Sequence, residues 1–232
     1  MRGFFITGTD TDCGKTRVAH ALIHALRAQE LKIAPFKPVA AGAQWLEVGL
    51  RNDDALSLMS AAESNYPYDL VNPYCYEAPI APHLAAAAMG EKIDLQQILQ
   101  NAKKLSTLAD LLLVEGAGGW LVPLGKDIDM ADMAAALQMP VVLVVGIRLG
   151  CLNHARLTEA MIVQRGLRLA GWIGSLLEPE MSQQEENIES LHALLGSPCL
   201  GIVPYLSESE TGAGSIDVDS LMLSLQQKSK GI

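Results

Sequence analysis

Residues 8–16 read Gly8-Thr9-Asp10-Thr11-Asp12-Cys13-Gly14-Lys15-Thr16, a glycine-bounded loop that closes on Gly-Lys-Thr. A short apolar run at 4–7 precedes it, and a stretch with apolar residues at helical spacing, 18–27, follows. Strand, loop, Gly-Lys-Thr and helix in that order make a phosphate-binding loop. The usual loop has four residues between its first glycine and Gly-Lys-Thr; here there are five, Thr9 to Cys13. The physical case survives the extra residue. Gly14 lets backbone approach phosphate oxygens without a Cβ. Amides at the start of the following helix point at an anion, and the helix dipole favours it. Lys15 supplies a point charge for terminal phosphates, and the Thr16 hydroxyl suits Mg²⁺.

Mg²⁺ takes one or two protein carboxylates beside phosphate oxygens and water. Glu115 is one candidate. It directly follows the apolar run 111–114 and is followed by Gly116-Ala117-Gly118-Gly119, a loop that can approach a ligand closely. In parallel sheets, ligands bind beyond the carboxyl ends of the strands. The other candidate is Asp53 or Asp54, which spacing alone does not separate, and either also suits a helix cap. Lys37, in Phe36-Lys37-Pro38, ends a strand-like run and is placed to reach the same mouth. His20 and His24 are four apart but have no acid or third ligand beside them, so they read as helix histidines. Cys151, in Gly150-Cys151-Leu152-Asn153-His154, reads as a glycine turn into a helix that offers amides to an anion rather than as a nucleophile.

These residues need a scaffold, and the rest of the sequence outlines one. Apolar runs at 4–7, 33–37, 111–114, 141–145, 170–177 and 199–203 predict strands; 18–27, 54–61, 95–108, 130–137, 152–164 and 185–195 predict helices. Continuously apolar strands imply burial on both faces, and their alternation with helices implies parallel pairing. The expected fold is α/β: a single doubly wound domain over 1–232, its mostly parallel sheet flanked by helices. The four-proline stretch 66–82 is expected to be a long loop, the polar segment 207–215 mobile, and 207–232 a partly mobile tail. Half of the 232 residues are hydrophobic but only 5% are aromatic, so the core must be aliphatic. A net charge of -9 excludes a basic field for nucleic acid. Four scattered cysteines without a CxxC pair fit a reducing compartment. No apolar run approaches the roughly 18 residues of a membrane span, and the opening residues carry no leader pattern. The expectation is a soluble cytoplasmic protein.

The loop at 8–16, Lys37-Pro38-Val39-Ala40, Arg51-Asn52-Asp53-Asp54-Ala55-Leu56, Val71-Asn72-Pro73-Tyr74, Val114-Glu115-Gly116-Ala117-Gly118-Gly119-Trp120, Val144-Val145-Gly146, Leu149-Gly150-Cys151-Leu152-Asn153-His154 and Leu169-Ala170-Gly171-Trp172 resemble the dethiobiotin synthetase family in order and spacing, from residue 3 to about 206. The five-residue loop is itself typical of that family. The resemblance implies a P-loop NTPase-like enzyme, a homodimeric cyclo-ligase of biotin biosynthesis. It would use ATP and Mg²⁺ to close a cyclic urea on 7,8-diaminononanoate with CO₂, through a carbamate and its phosphoric anhydride. It implies Mg²⁺ at Thr16, Asp54 and Glu115, which selects Asp54 over Asp53. Lys15 would act on the transferred phosphoryl and Lys37 on the carbamate and γ-phosphate. Asp12 stands for a family acid, commonly Glu, and Cys13 and Gly14 belong to the nucleotide loop. Gly118 and Ala41 would line the substrate, while Gly150, Cys151, Leu152 and Asn153 of a neighbouring subunit would hold its carboxylate. Pro204, Tyr205 and Leu206 resemble the base-side loop.

Three positions depart from the family pattern. Ala41 replaces a serine, Ser175-Leu176 replaces an Asn-Asp pair that helps read adenine, and Asn187 stands where some relatives have tyrosine. The second change implies tolerance of other nucleoside triphosphates. Two rival readings fit less well. An amidotransferase of the cobyrinate type needs a glutaminase domain for which the chain is too short, and a partitioning ATPase carries an additional early loop lysine that is missing here. A degenerate, non-catalytic relative has only Ala41 and Ser175 in its favour.

Overall fold

In a computed structural model the chain is described over residues 1–206 and 210–226. Its elements run β1 (Gly3–Gly8), α1 (Lys15–Arg27), β2 (Ile33–Phe36), β3 (Val39–Ala41), β4 (Gln44–Leu46), β5 (Gly49–Arg51), α2 (Asp53–Ala61), α3 (Tyr68–Val71), β6 (Tyr74–Tyr76), α4 (Pro82–Ala88) and α5 (Leu95–Ser106). There follow β7 (Leu111–Gly119), α6 (Met130–Leu137), β8 (Val141–Ile147), α7 (Cys151–Gln164), β9 (Leu169–Leu176), α8 (Gln184–Leu194), β10 (Cys199–Val203) and α9 (Val218–Gln226).

Six strands pair in parallel in the order β10-β9-β8-β1-β7-β2. Successive side chains of β1 point to opposite faces. Phe4 and Ile6 pack with Val18, Leu22 and Leu26 of α1 and Leu221 of α9. Phe5 packs on the other face with Ile98 and Leu105 of α5 and Met130 and Met133 of α6. A third cluster sets Leu143, Val145 and Trp172 against α7 and α8. Both faces of the sheet are thus covered, which is why its strands carry no polar alternation.

Three local readings change. The stretch 66–82 is not a structureless loop: it contains α3, β6 and the start of α4. Its prolines occupy tolerated positions, Pro67 as the cap of α3, Pro73 just before β6 and Pro82 in the first turn of α4. β6 pairs in parallel with β3, Val39 opposite Tyr74. Second, β7 does not stop at Val114. It continues to Gly119 because Ile6 pairs with Glu115 and Gly8 with Gly119 across an irregularity, so Glu115 lies inside the strand. Third, neither the antiparallel hairpin of β4 and β5 nor the helix α9 is among the predicted elements. Of the tail expected to be mobile, 207–209 and 227–232 lie outside the described residues; within the remainder Leu221 is fully buried.

Candidate active site

The phosphate loop leaves the carboxyl end of the central strand, β1, and enters α1. Gly14 caps α1 with φ 88°, a left-handed conformation, and no side chain caps the helix. Its first amides are therefore left to an anion. A Cβ added at Gly14 would lie 2.2 Å from Ser175 Oγ. Gly14→Ala is expected to lower stability by about 1–3 kcal/mol through the backbone conformation alone, read from the urea midpoint. Adding Ser175→Gly should recover only the part due to the contact.

Lys15 is buried; its Nζ donates to the Asp10 carbonyl at 2.8 Å and lies 3.9 Å from Cys13 Sγ. Cys13 is buried behind the loop, 3.7 Å from the Val144 carbonyl, and Asp12 is exposed with φ 56°. Thr16 donates through Oγ1 to Glu115 Oε1 at 2.8 Å.

Lys37 is the hub. Only 3% exposed, it pairs with Asp54 Oδ2 at 2.8 Å and, on its other side, with Glu115 Oε1, whose residue is 0% exposed. Burial pulls the Lys37 pKa down, but the Glu115 and Asp54 carboxylates outweigh it and hold it above the ordinary 10.5. Burial likewise pushes Asp54 up, and Lys37 outweighs that, holding it below 3.8. The sign follows from linkage. The Asp54 contribution to stability is present above 3.8 and lost as pH falls through the lower folded value. The Lys37 contribution is present below 10.5 and lost as pH rises through the higher folded value. Urea midpoints of the parent and Asp54→Asn are therefore expected to differ at neutral pH and to converge in acid.

Two asparagines position this hub, and sequence reasoning gave them no such role. Asn72 Nδ2 donates to the Lys37 carbonyl at 2.6 Å, and the Lys37 amide donates to the Val71 carbonyl at 3.0 Å. Asn52 caps α2, accepting from the Ala55 amide at 3.3 Å, and its Nδ2 reaches the Ala41 carbonyl at 3.4 Å. Neither Asp53 nor Asp54 is the cap: Asp53 is exposed, and Asp54 turns to Lys37. An asparagine ahead of two acids and an apolar period is a cap signature, so the signal was present.

Asp12, Gly14, Lys15, Thr16, Lys37, Ala41, Asp54 and Gly118 line one cavity of about 910 Å³, with Glu115 buried beside it. Gly118 has φ 63°, and a Cβ there would lie 2.7 Å from Val122 Cγ2. Arg17 and Leu177, just beyond β9, line the cavity too, as do Pro79, Ile80 and Pro82. Ser175 is fully buried behind Gly14 and does not line the cavity. Pro204, Tyr205 and Leu206 do not line it either, but the Tyr205 ring centre lies 5.3 Å from the guanidinium of Arg17. Gly150, with φ 92°, caps α7 with Cys151 at its first position; 150–153 lie off the cavity within one chain.

Among the described residues no cluster of three or more His, Cys, Asp or Glu could hold a metal. A cation bound here must draw most of its ligands from water and phosphate, which is how Mg²⁺ is held. The donor set suits that: two carboxylates, a threonine hydroxyl, and a buried Glu115 Oε2 with no hydrogen-bond partner.

A parallel sheet with this loop at the end of its central strand defines a P-loop nucleotide-binding fold. Over 97% of its length the chain resembles a chain of the MinC:MinD cell division protein complex of Aquifex aeolicus, covering 95% of that chain with a TM-score of 0.58 at 14% identity. It also resembles a ParA family ATPase from Chlorobium tepidum TLS, at TM-score 0.56 and 11% identity over 97% of each chain. These likenesses concern the fold alone. A family model described as an AAA domain matches residues 2–212. The ATP-dependent dethiobiotin synthetase BioD of Xanthomonas oryzae pv. oryzae (strain PXO99A) is 47% identical over 210 residues, covering 90% of this chain and 94% of the relative. The protein of the same name from Pseudomonas aeruginosa (strain UCBPP-PA14) is 46% identical over 220 residues, with 94% and 96% covered. The chain belongs to the ATP-dependent dethiobiotin synthetase family, and is an ATP-dependent ligase.

Proposed function

We propose that the chain closes the ureido ring of dethiobiotin from 7,8-diaminononanoate, CO₂ and ATP. The observation that carries this reading is Lys37, a buried cation between Asp54 and Glu115 and on the wall of the same cavity as Lys15 and Ala41. One substrate amine adds to CO₂ and loses a proton, giving a carbamate. A carbamate oxygen attacks the γ-phosphorus of ATP, and ADP departs. The second amine attacks the mixed anhydride carbon, its proton is lost, and inorganic phosphate leaves as the ring closes.

The residues supply position and charge, which is most of what phosphoryl transfer requires. Lys15 moves from the loop carbonyl to the β- and γ-phosphates, whose remaining oxygens meet the amides of 12–16. Lys37 faces both the carbamate and the γ-phosphate. Thr16, Asp54 and Glu115 would hold Mg²⁺, which would supply charge neutralisation to the phosphoryl group in transfer. The diamine lies at the Ala41 and Gly118 end, and the amides of residues 150–153 of a second copy take its carboxylate, so the working unit is a homodimer. The nucleoside lies at the other end, toward Ser175 and 204–206. The chain acts as one domain in the cytoplasm.

The test is phosphate release with each component omitted in turn, together with trapping of ¹⁴C-bicarbonate in a ring product. The expected result is that label and phosphate both require diamine, bicarbonate, triphosphate and Mg²⁺, and both stop on chelation. Phosphate release indifferent to the diamine would overturn the reading.

A further inference from the structure

The side of the cavity to which the proposed function assigns the nucleoside holds a cation to which no role has been given. Arg17 follows Thr16 directly on α1 and lines the cavity. Two contacts lying outside the cavity lining fix it there. Nη1 donates to the Leu176 carbonyl at 2.9 Å, at the end of β9, and the Tyr205 ring centre is 5.3 Å from the guanidinium carbon. A long, mobile side chain is thereby held as a planar fork of donors. The hydroxyl that sequence alone would nominate for the base is removed from it: Ser175 is fully buried, and its Oγ has no hydrogen-bond partner among the described residues and packs where a Gly14 Cβ would fall.

We infer that Arg17 selects the nucleobase, and that as a donor-only fork it favours bases presenting two adjacent acceptors. This rests on the proposed nucleotide reading of the cavity. Guanine offers O6 and N7, the pair arginine grips bidentately. Cytosine offers O2 and N3. Adenine sets the N6 amino donor beside N7, so the fork makes one hydrogen bond to it and meets a donor with the other. ATP still binds through its phosphates, while GTP and CTP gain the second bond. A bidentate pair gives about 1–3 kcal/mol of discrimination, which corresponds to roughly 5- to 150-fold in affinity.

The experiment is competition binding of ATP, GTP, CTP and inorganic tripolyphosphate, in the presence of Mg²⁺, to the parent protein, Arg17→Met and Arg17→Lys. Tripolyphosphate reports the phosphate subsite without a base. In the parent, GTP and CTP are expected to bind at least as tightly as ATP. In Arg17→Met they should weaken at least 10-fold, with ATP changing less than 3-fold and tripolyphosphate unchanged. Arg17→Lys keeps the charge but not the fork, and should behave like Arg17→Met toward GTP and CTP; it serves alone if the methionine variant fails to fold. Unchanged GTP:ATP and CTP:ATP ratios in both variants would overturn the inference while leaving the nucleotide site intact. An equal loss of all four ligands would overturn it too, by placing Arg17 on the phosphates. A parent that binds none of the four would overturn the proposed function itself.

Discussion

Replacing Lys37 with methionine is expected to lower the turnover number for ring closure roughly 100- to 1,000-fold, the loss typical of a preorganised charge aimed at a transition state, and also to weaken the fold. The second effect follows from burial. Glu115 is 0% exposed and Lys37 is its only cationic partner among the described residues. Removing one member of a buried ion pair leaves an uncompensated charge, at a cost of about 3–5 kcal/mol. The urea midpoint of Lys37→Met should fall accordingly. Adding Glu115→Gln removes the stranded charge and should return most of the stability while leaving turnover at the low level. Steady-state phosphate release and urea denaturation on the parent, the single and the double variant check both halves. A single variant as stable as the parent would show that the pair contributes nothing to the fold.

Lys15→Ala should give a comparable loss of turnover with a much smaller loss of stability. Its ammonium donates to the Asp10 carbonyl and neighbours Cys13 Sγ, and among the described residues no carboxylate pairs with it. Truncation removes one hydrogen bond, about 0.5–1.5 kcal/mol, and leaves no buried charge alone. The phosphoryl group, however, loses its nearest loop cation, so turnover is expected to drop roughly 100- to 1,000-fold. Two lysines on one cavity wall thus separate by stability rather than by activity. Equal shifts in the urea midpoint for Lys15→Ala and Lys37→Met would contradict the different roles assigned to their surroundings.

The main sheet was legible because burial on both faces writes itself as uninterrupted apolar sequence. Residues 4–7 and 141–145 fall within β1 and β8. The small elements around the cavity were not legible, since three-residue strands such as β3 and β6 are defined by pairing with each other rather than by any period. Glu115 illustrates the limit. Its position directly after the apolar run 111–114 suggested a candidate ligand beyond the carboxyl end of a strand, whereas backbone pairing with Ile6 carries the strand past it and buries it. Lys37 lies on the cavity wall, and its two carboxylate partners are 17 and 78 residues away in sequence, a distance no local pattern spans. Arg17 gave no signal at all, because what distinguishes it is contact with Leu176 and Tyr205.

The strand order also governs when the nucleotide loop comes into being. β1 lies more than 100 residues ahead of its neighbours β7 and β8 in the chain, with Phe4 opposite Leu113 and Phe5 opposite Val141. A nascent chain therefore carries an apolar strand with no lateral partner until residues 111–119 have left the ribosome, and with only one until 141–147 follow. Such distant pairings close slowly, and unpaired apolar strands invite association in the meantime. The loop that grips phosphate is thus made well before the strands that flank it, so a ribosome stalled between them holds a chain that has the residues for nucleotide but no walls to present them.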